Sequence, residues 1–186
     1  MDMVFEDYQN LNFSALDSRL VKSYAEHFWT EEKLRLNKFI YSVASYYNIN
    51  KVKLDFSESS LEVLNNWLLN HVKCVKLTPE EYDYVRKSVP DYININDWRF
   101  SNETFSNIIN VGLYLGEVMI HRHPDLKWEQ CLKGKKNINY GQMIIKLGNR
   151  EMNPMRLVNV ICLEIVDNKN TATSLLELLH IWEKYV

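Results

Sequence analysis

Residues that break regular structure are scarce in this chain of 186 residues, which has only 5 Gly and 4 Pro. That argues against a many-turned β sandwich and for long helices. Cysteine is equally sparse. Cys74, Cys131 and Cys162 are widely separated, odd in number and form no C-x-x-C pair. They do not make a disulfide framework or a zinc spacing, and they read as reduced, at least partly buried thiols. No apolar run approaches the ~20 residues of a membrane span. The acidic start, Met1 to Asp7, lacks a secretory leader's basic and apolar regions. A cytoplasmic address without a membrane partner is therefore expected. Excess positive charge is missing as well: the formal net charge is −2, which weakens any generic nucleic-acid role. Phosphate-loop, G-x-G-x-x-G, G-x-S-x-G, H-E-x-x-H and zinc-deaminase patterns are absent. The reading is a protein that is not an enzyme and carries no cofactor and no metal.

What is present is aromatic and unevenly charged. There are 11 Tyr, 7 Phe and 5 Trp. Residues 121–150 hold seven Lys or Arg against two acids, a net of +5, leaving −7 for the remainder. The length suits one domain over 1–186 with a sizeable core, and no linker or internal repeat divides it.

Helical spacing predicts a helix from Ser14 to about His27 on Leu16, Leu20 and Tyr24. A second is expected from Thr30-Glu31-Glu32, read as N-cap and first-turn acids, to about Tyr47. Val52, Leu54 and Phe56 alternate with polar residues and suggest a short extended piece. Ser57 to Val72 restarts a helix, and Thr78-Pro79-Glu80-Glu81 opens another. The central helix should run from about 102 to 122, with the stripe Phe105, Ile108, Ile109, Gly112, Gly116, Met119. A second apolar row, Val111, Leu115 and Val118, lies beside it. Such a helix is usually surrounded by others. After Pro124 the period changes. Leu126, Trp128, Gln130 and Leu132 alternate with Lys127, Glu129 and Cys131, and Gln142 to Leu147 is a second strand. They make a β-hairpin over about 126–147 with a wide, basic loop. Asn153-Pro154 opens a helix, and Thr173 to about Tyr185 is the last. The expected class is α+β, mostly α, with about six to seven helices around the central one.

Three groups of residues deserve weighing as sites. Gly112 and Gly116 share a face of the central helix, and each costs ~1 kcal/mol against Ala there. Close packing by another backbone is the simplest reason. Tyr114, Glu117 and His121 lie on its less apolar strip, where Glu117 and His121 stand at i and i+4. They form either an acid/base couple in a ligand pocket or a structural anchor, with Glu117 bonded to backbone or to Trp128. The anchor is the stronger reading, because no nucleophile or oxyanion device accompanies the pair. His121-x-His123 lacks a third ligand at a metal spacing. Finally, Trp128, Lys133, Lys135, Lys136 and Tyr140 could bind a partner through the hairpin, preferably an acidic protein surface and with lower expectation a nucleic acid. The alternative is a solvated turn whose lysines blunt a sheet edge.

Leu54-Asp55-Phe56-Ser57-Glu58-Ser59-Ser60-Leu61 and, fifty residues later, Val111-Gly112-Leu113-Tyr114-Leu115-Gly116-Glu117-Val118 precede the Trp128 strand and Tyr140-Gly141. In this order they resemble a broad set of small bacterial cytosolic proteins. Those share an L-D-[YF]-S-x-x-S-L segment and a G-x-Y-L-G-E-V helix ahead of a Trp hairpin. Some are similar to immunity proteins paired with secreted antibacterial toxins. The resemblance covers about residues 52–160 and implies that Tyr114, Gly116, Glu117 and Trp128 define scaffold. It implies a binding protein whose partner is a cognate toxin, held by acidic, aromatic-rich helices or by the lysine hairpin.

Overall fold

A computed structural model describes residues 12–50, 53–167, 169 and 174–186. A short 3-10 turn, Phe13–Ala15, leads into α1 (Ser18–Tyr46). Then follow α2 (Glu58–His71), β1 (Cys74–Lys76), α3 (Pro79–Ser88), β2 (Trp98–Phe100) and α4 (Asn102–Arg122). The chain closes with β3 (Trp128–Gln130), β4 (Met143–Leu147), β5 (Arg150–Met152), α5 (Pro154–Val166) and α6 (Ser174–Glu183). The class is α+β and mostly α, as expected. The acidic start, Val52 and Thr173 lie outside the described residues.

One helix replaces the two expected at the start. Thr30 is not an N-cap: its hydroxyl donates to the Glu26 carbonyl at 2.9 Å, inside a continuous α1. Asp17 caps that helix on Arg19 N at 2.6 Å. At the other end Asn48 takes a positive φ of 50°. The Ile49 and Asn48 N–H groups then close on the Ala44 and Ser45 carbonyls in a Schellman arrangement. The buried stripe of α1 runs Val21, Tyr24, Phe28, Glu32, Leu36, Phe39, Val43, so Glu32 belongs to an inner face.

The central helix forms as predicted, capped by Ser101 on Thr104 N. Its sides touch α1, α2, α5 and α6, and nearly every residue from Val111 to Met119 is buried. Both glycines are explained by contact. A Cβ at Gly112 would stand 2.7 Å from Met155 Cα at the start of α5, and one at Gly116 would enter the Trp128 ring. The Thr78 capping box and the Asn153 cap also form.

The hairpin is shorter than expected and belongs to a three-stranded antiparallel sheet, β3-β4-β5. Trp128 pairs with Ile145, and Ile145 with Met152. The chain leaves the strand at Cys131, so Cys131 is buried and Leu132 exposed, the reverse of the expected alternation. The extended piece at 54–56 is not a strand, and Phe56 adopts a φ of 63°. A second small sheet, β1 with β2, pairs Cys74 with Phe100. Among the described residues, no helix is long and apolar enough to cross a membrane.

Candidate functional site

The two segments that carry the resemblance fold against each other. Leu54 is buried, and Asp55 turns the chain by accepting Ser57 N. Phe56, in its left-handed conformation, donates its N–H to the Tyr114 hydroxyl at 2.8 Å. That hydroxyl in turn donates to Ser60 Oγ at 2.8 Å, and Ser60 donates to the Ser57 carbonyl. Tyr114 is fully buried, and burial pushes its phenol up to about 12 despite the two hydrogen bonds. Phe56 stacks between Tyr114 and His121, with ring centroids 4.8 and 4.3 Å away. The serines and tyrosine thus lock α2 to α4.

Glu117 faces the other way. Its Oε1 accepts from Trp128 Nε1 at 2.8 Å, the anchor expected for the strand. The Trp128 ring sits edge-on to Phe28 and over Gly116. From α1, Glu32 reaches the same place, only 6% exposed, and its carboxyl hydrogen-bonds to that of Glu117. Desolvation first, then the Glu117 charge and this shared hydrogen bond, push Glu32 up to about 7, with Lys33 opposing. A protonated Glu32 beside the Glu117 carboxylate avoids the cost of two charges in one place. Glu32 was missed because it reads as a first-turn acid. The available signal was its place between Phe28 and Leu36 at i−4 and i+4.

His121 does not meet the Glu117 carboxylate. Its Nδ1 donates instead to the Glu117 carbonyl at 2.8 Å. His123 points elsewhere, to Glu183 at 3.1 Å, where Arg122 also ties α4 to α6. Among the described residues, no group of three or more His, Cys, Asp or Glu could hold a metal ion.

The partner-binding candidates on the hairpin separate. Lys133, Lys135 and Lys136 are exposed and Tyr140 half-buried, but Trp128 is buried at 5% exposure and spent on Glu117. Trp128 therefore cannot interleave with the lysines as the sequence reading had it. The loop between β3 and β4 has an internal skeleton. Glu151 accepts from Asn137 Nδ2 at 2.9 Å, Asn139 Nδ2 at 3.2 Å and the Cys131 thiol. Burial raises the Glu151 carboxyl, but these donors and Lys133 outweigh it and hold it below the usual range. Asn153 extends the network to Gln142.

Sequence reasoning found the helix start at Thr78-Pro79 but gave the segment between β1 and β2 no role. No side chain from 73 to 99 is buried. The segment is rooted on α4, where Thr104 Oγ1 accepts Lys73 N at 2.8 Å. It is closed by Leu77 N on Asp97 O at 2.8 Å. Within it, Arg86 clamps the carbonyls of Val89, Pro90 and Ile93, and Arg99 pairs with Glu81 at 3.2 Å. Tyr84 and Tyr92 stand 77% and 84% exposed, beside exposed Ile93. Compared with known proteins, the chain matches no family model, no curated protein and no solved structure.

Proposed function

We propose that this chain is a non-catalytic binding protein, a bacterial immunity protein that neutralises a cognate toxin by direct contact. The observation that carries this reading is the segment 73–99, an ordered arm that buries none of its side chains. A helix of ten residues is marginal in water on its own, yet α3 has a full capping box and a bracing arginine. Residues 78–96 hold structure at the surface with no side chain in the core, which meets the arm only at Trp98, and that suits a docking element. Its exposed tyrosines are the side chains that dominate protein interfaces, being large and conformationally restricted. Charge is balanced over residues 73–99, with Glu80, Glu81, Asp83, Asp91 and Asp97 against Lys73, Lys76, Arg86, Lys87 and Arg99, so the exposed tyrosines rather than a net charge would carry the contact.

The residues that an acid/base site would need are engaged internally. Tyr114 holds Phe56 and Ser60, Glu117 holds Trp128, and His121 holds a backbone carbonyl. This supports the scaffold role that the resemblance assigns to Tyr114, Glu117 and Trp128. The lysine loop remains a second contact surface, with its three lysines in solvent.

The test is co-expression with the product of the neighbouring gene. The two proteins are expected to co-purify, and this chain is expected to protect cells from that product. If no complex forms and protection fails while the chain remains folded, the reading is wrong.

A further inference from the structure

We propose that the groove at the start of α5, walled by the Phe13 turn and the first turn of α4, binds a compact organic acid, a carboxylate on an apolar body. The groove encloses about 440 Å³, within the ~300–1,000 Å³ of typical small-molecule sites. Phe13, Phe105, Met155, Val160 and Leu163 supply apolar walls, and Gln142, Arg156 and Asn159 supply polar groups. No Asp or Glu lines it, and neither does any residue of the arm.

Packing fixes the Phe13 wall. Gly141 has a φ of 82°, and a Cβ there would enter the Phe13 ring. That ring stands edge-on to Tyr24, with centroids 5.1 Å apart. A chain of hydrogen bonds then orients the amides, beginning at the Glu151 carboxylate. Glu151 is held below the usual range and only accepts. Asn139 therefore turns its Nδ2 to Glu151 at 3.2 Å and its Oδ1 to Asn153 Nδ2 at 3.3 Å. Asn153 Oδ1 is occupied by the Arg156 N–H at 3.1 Å, as the cap of α5. Asn153 thus has only Nδ2 to offer Gln142, which answers with Oε1 at 2.6 Å. Gln142 Nε2 is left as a donor without a partner among the described residues.

The Asn159 amide and the Arg156 guanidinium likewise have no hydrogen-bond or ion-pair partner among the described residues. All three groups are open to a ligand. Arg156 is exposed, Gln142 and Asn159 are half-buried, and none of their polar atoms is sealed in the interior. An organic acid answers both halves of the groove. Its oxygens accept from Arg156, Gln142 Nε2 and Asn159 Nδ2. Its apolar body covers Val160 and Leu163, which stand 47% and 39% exposed. An inorganic anion would leave those walls in water, and a neutral molecule would forgo the charge-assisted contact with the guanidinium. The inference rests on none of the immunity reading.

The test follows the side-chain amide resonances of Gln142 and Asn159 in the whole chain at constant pH and ionic strength. The titrants are phenylacetate, its neutral analogue phenylacetamide, and acetate. Phenylacetate is expected to move both amides saturably. It should bind at least about tenfold more tightly than phenylacetamide, the scale of one charge-assisted contact, and more tightly than acetate, which lacks the apolar body. Arg156→Gln, at an exposed position, is expected to erase the preference for acid over amide. Gln142→Glu keeps an acceptor toward Asn153 but sets a carboxylate against the ligand. It is expected to abolish phenylacetate binding while the thermal midpoint shows that it folds. Amides that phenylacetate does not move would overturn the proposal, as would equal binding of phenylacetamide or of acetate. A preference for the acid that survives in Arg156→Gln, or phenylacetate binding retained in Gln142→Glu, would overturn it too.

Discussion

Glu32 makes the stability of the fold depend on pH. Its carboxyl is pushed up to about 7 in the folded chain, against about 4.3 in an unfolded one. The folded state therefore holds a proton that the unfolded state has released between these values. Unfolding free energy falls as pH rises through that window, and the loss is complete above the folded value. Its size is on the order of 3 kcal/mol, at 1.36 kcal/mol per unit. Glu151 and Glu183, both held below the usual range, act in the opposite direction and at lower pH. Glu32→Gln keeps a hydrogen-bond donor toward Glu117 and removes the titration. Urea unfolding at pH 5 and pH 8 should show the variant more stable than the wild type at pH 8 and close to it at pH 5. Equal pH slopes in the two proteins would mean that Glu32 is not the titrating group. Gly116 gives a second prediction. A methyl there meets the Trp128 ring directly, so Gly116→Ala should lose ~1–3 kcal/mol to overpacking. Trp128 fluorescence should shift with it, and an unaltered spectrum and stability would count against the contact.

Among the elements, what could be read from the sequence was local. Thr78-Pro79-Glu80-Glu81, Ser101 and Asn153-Pro154 announce their helices because a cap is made by residues within three positions of it. The apolar circumference of α4 likewise reveals that other elements surround it. The fusion of α1 was not legible, because Thr30 makes an i−4 bond in a helix and a cap bond at a helix start. Strands of three residues escape notice too: β1 and β2 are mostly exposed and show no alternation. At the candidate site, the Glu117–Trp128 bond was foreseeable from the nearness of helix and strand. The approach of Glu32 was not, since it depends on how α1 lies across α4. The arm leaves a prediction at this scale. Because Leu77 and Asp97 already meet, replacing 78–96 with a short Gly-Ser turn should leave the thermal midpoint within a few degrees. A collapse of cooperative unfolding would make the arm part of the core.

For the molecule as a whole, the division of labour is spatial. The segments Leu54–Leu61 and Val111–Val118 converge with Trp128 and Glu32 on one bolt of α1, α2, α4 and β3, made of Tyr114, Ser60, Phe56, Glu117, Glu32 and Trp128. Exposed tyrosines and lysines stand on the arm and the lysine loop, and further exposed aromatics, Trp29, Tyr41 and Tyr46, on α1. A scaffold of this kind can keep its interior while its surface follows a particular partner. The most direct measurement is calorimetric titration of the neighbouring gene's product into three forms of the chain. Wild type and Glu117→Gln should bind alike, whereas the double substitution Tyr84→Ala, Tyr92→Ala should weaken binding by at least about a hundredfold, the combined scale of two interface anchors. Full binding by the tyrosine variant, together with loss of binding in a folded Glu117→Gln protein, would contradict the account and place the functional surface on the central helix.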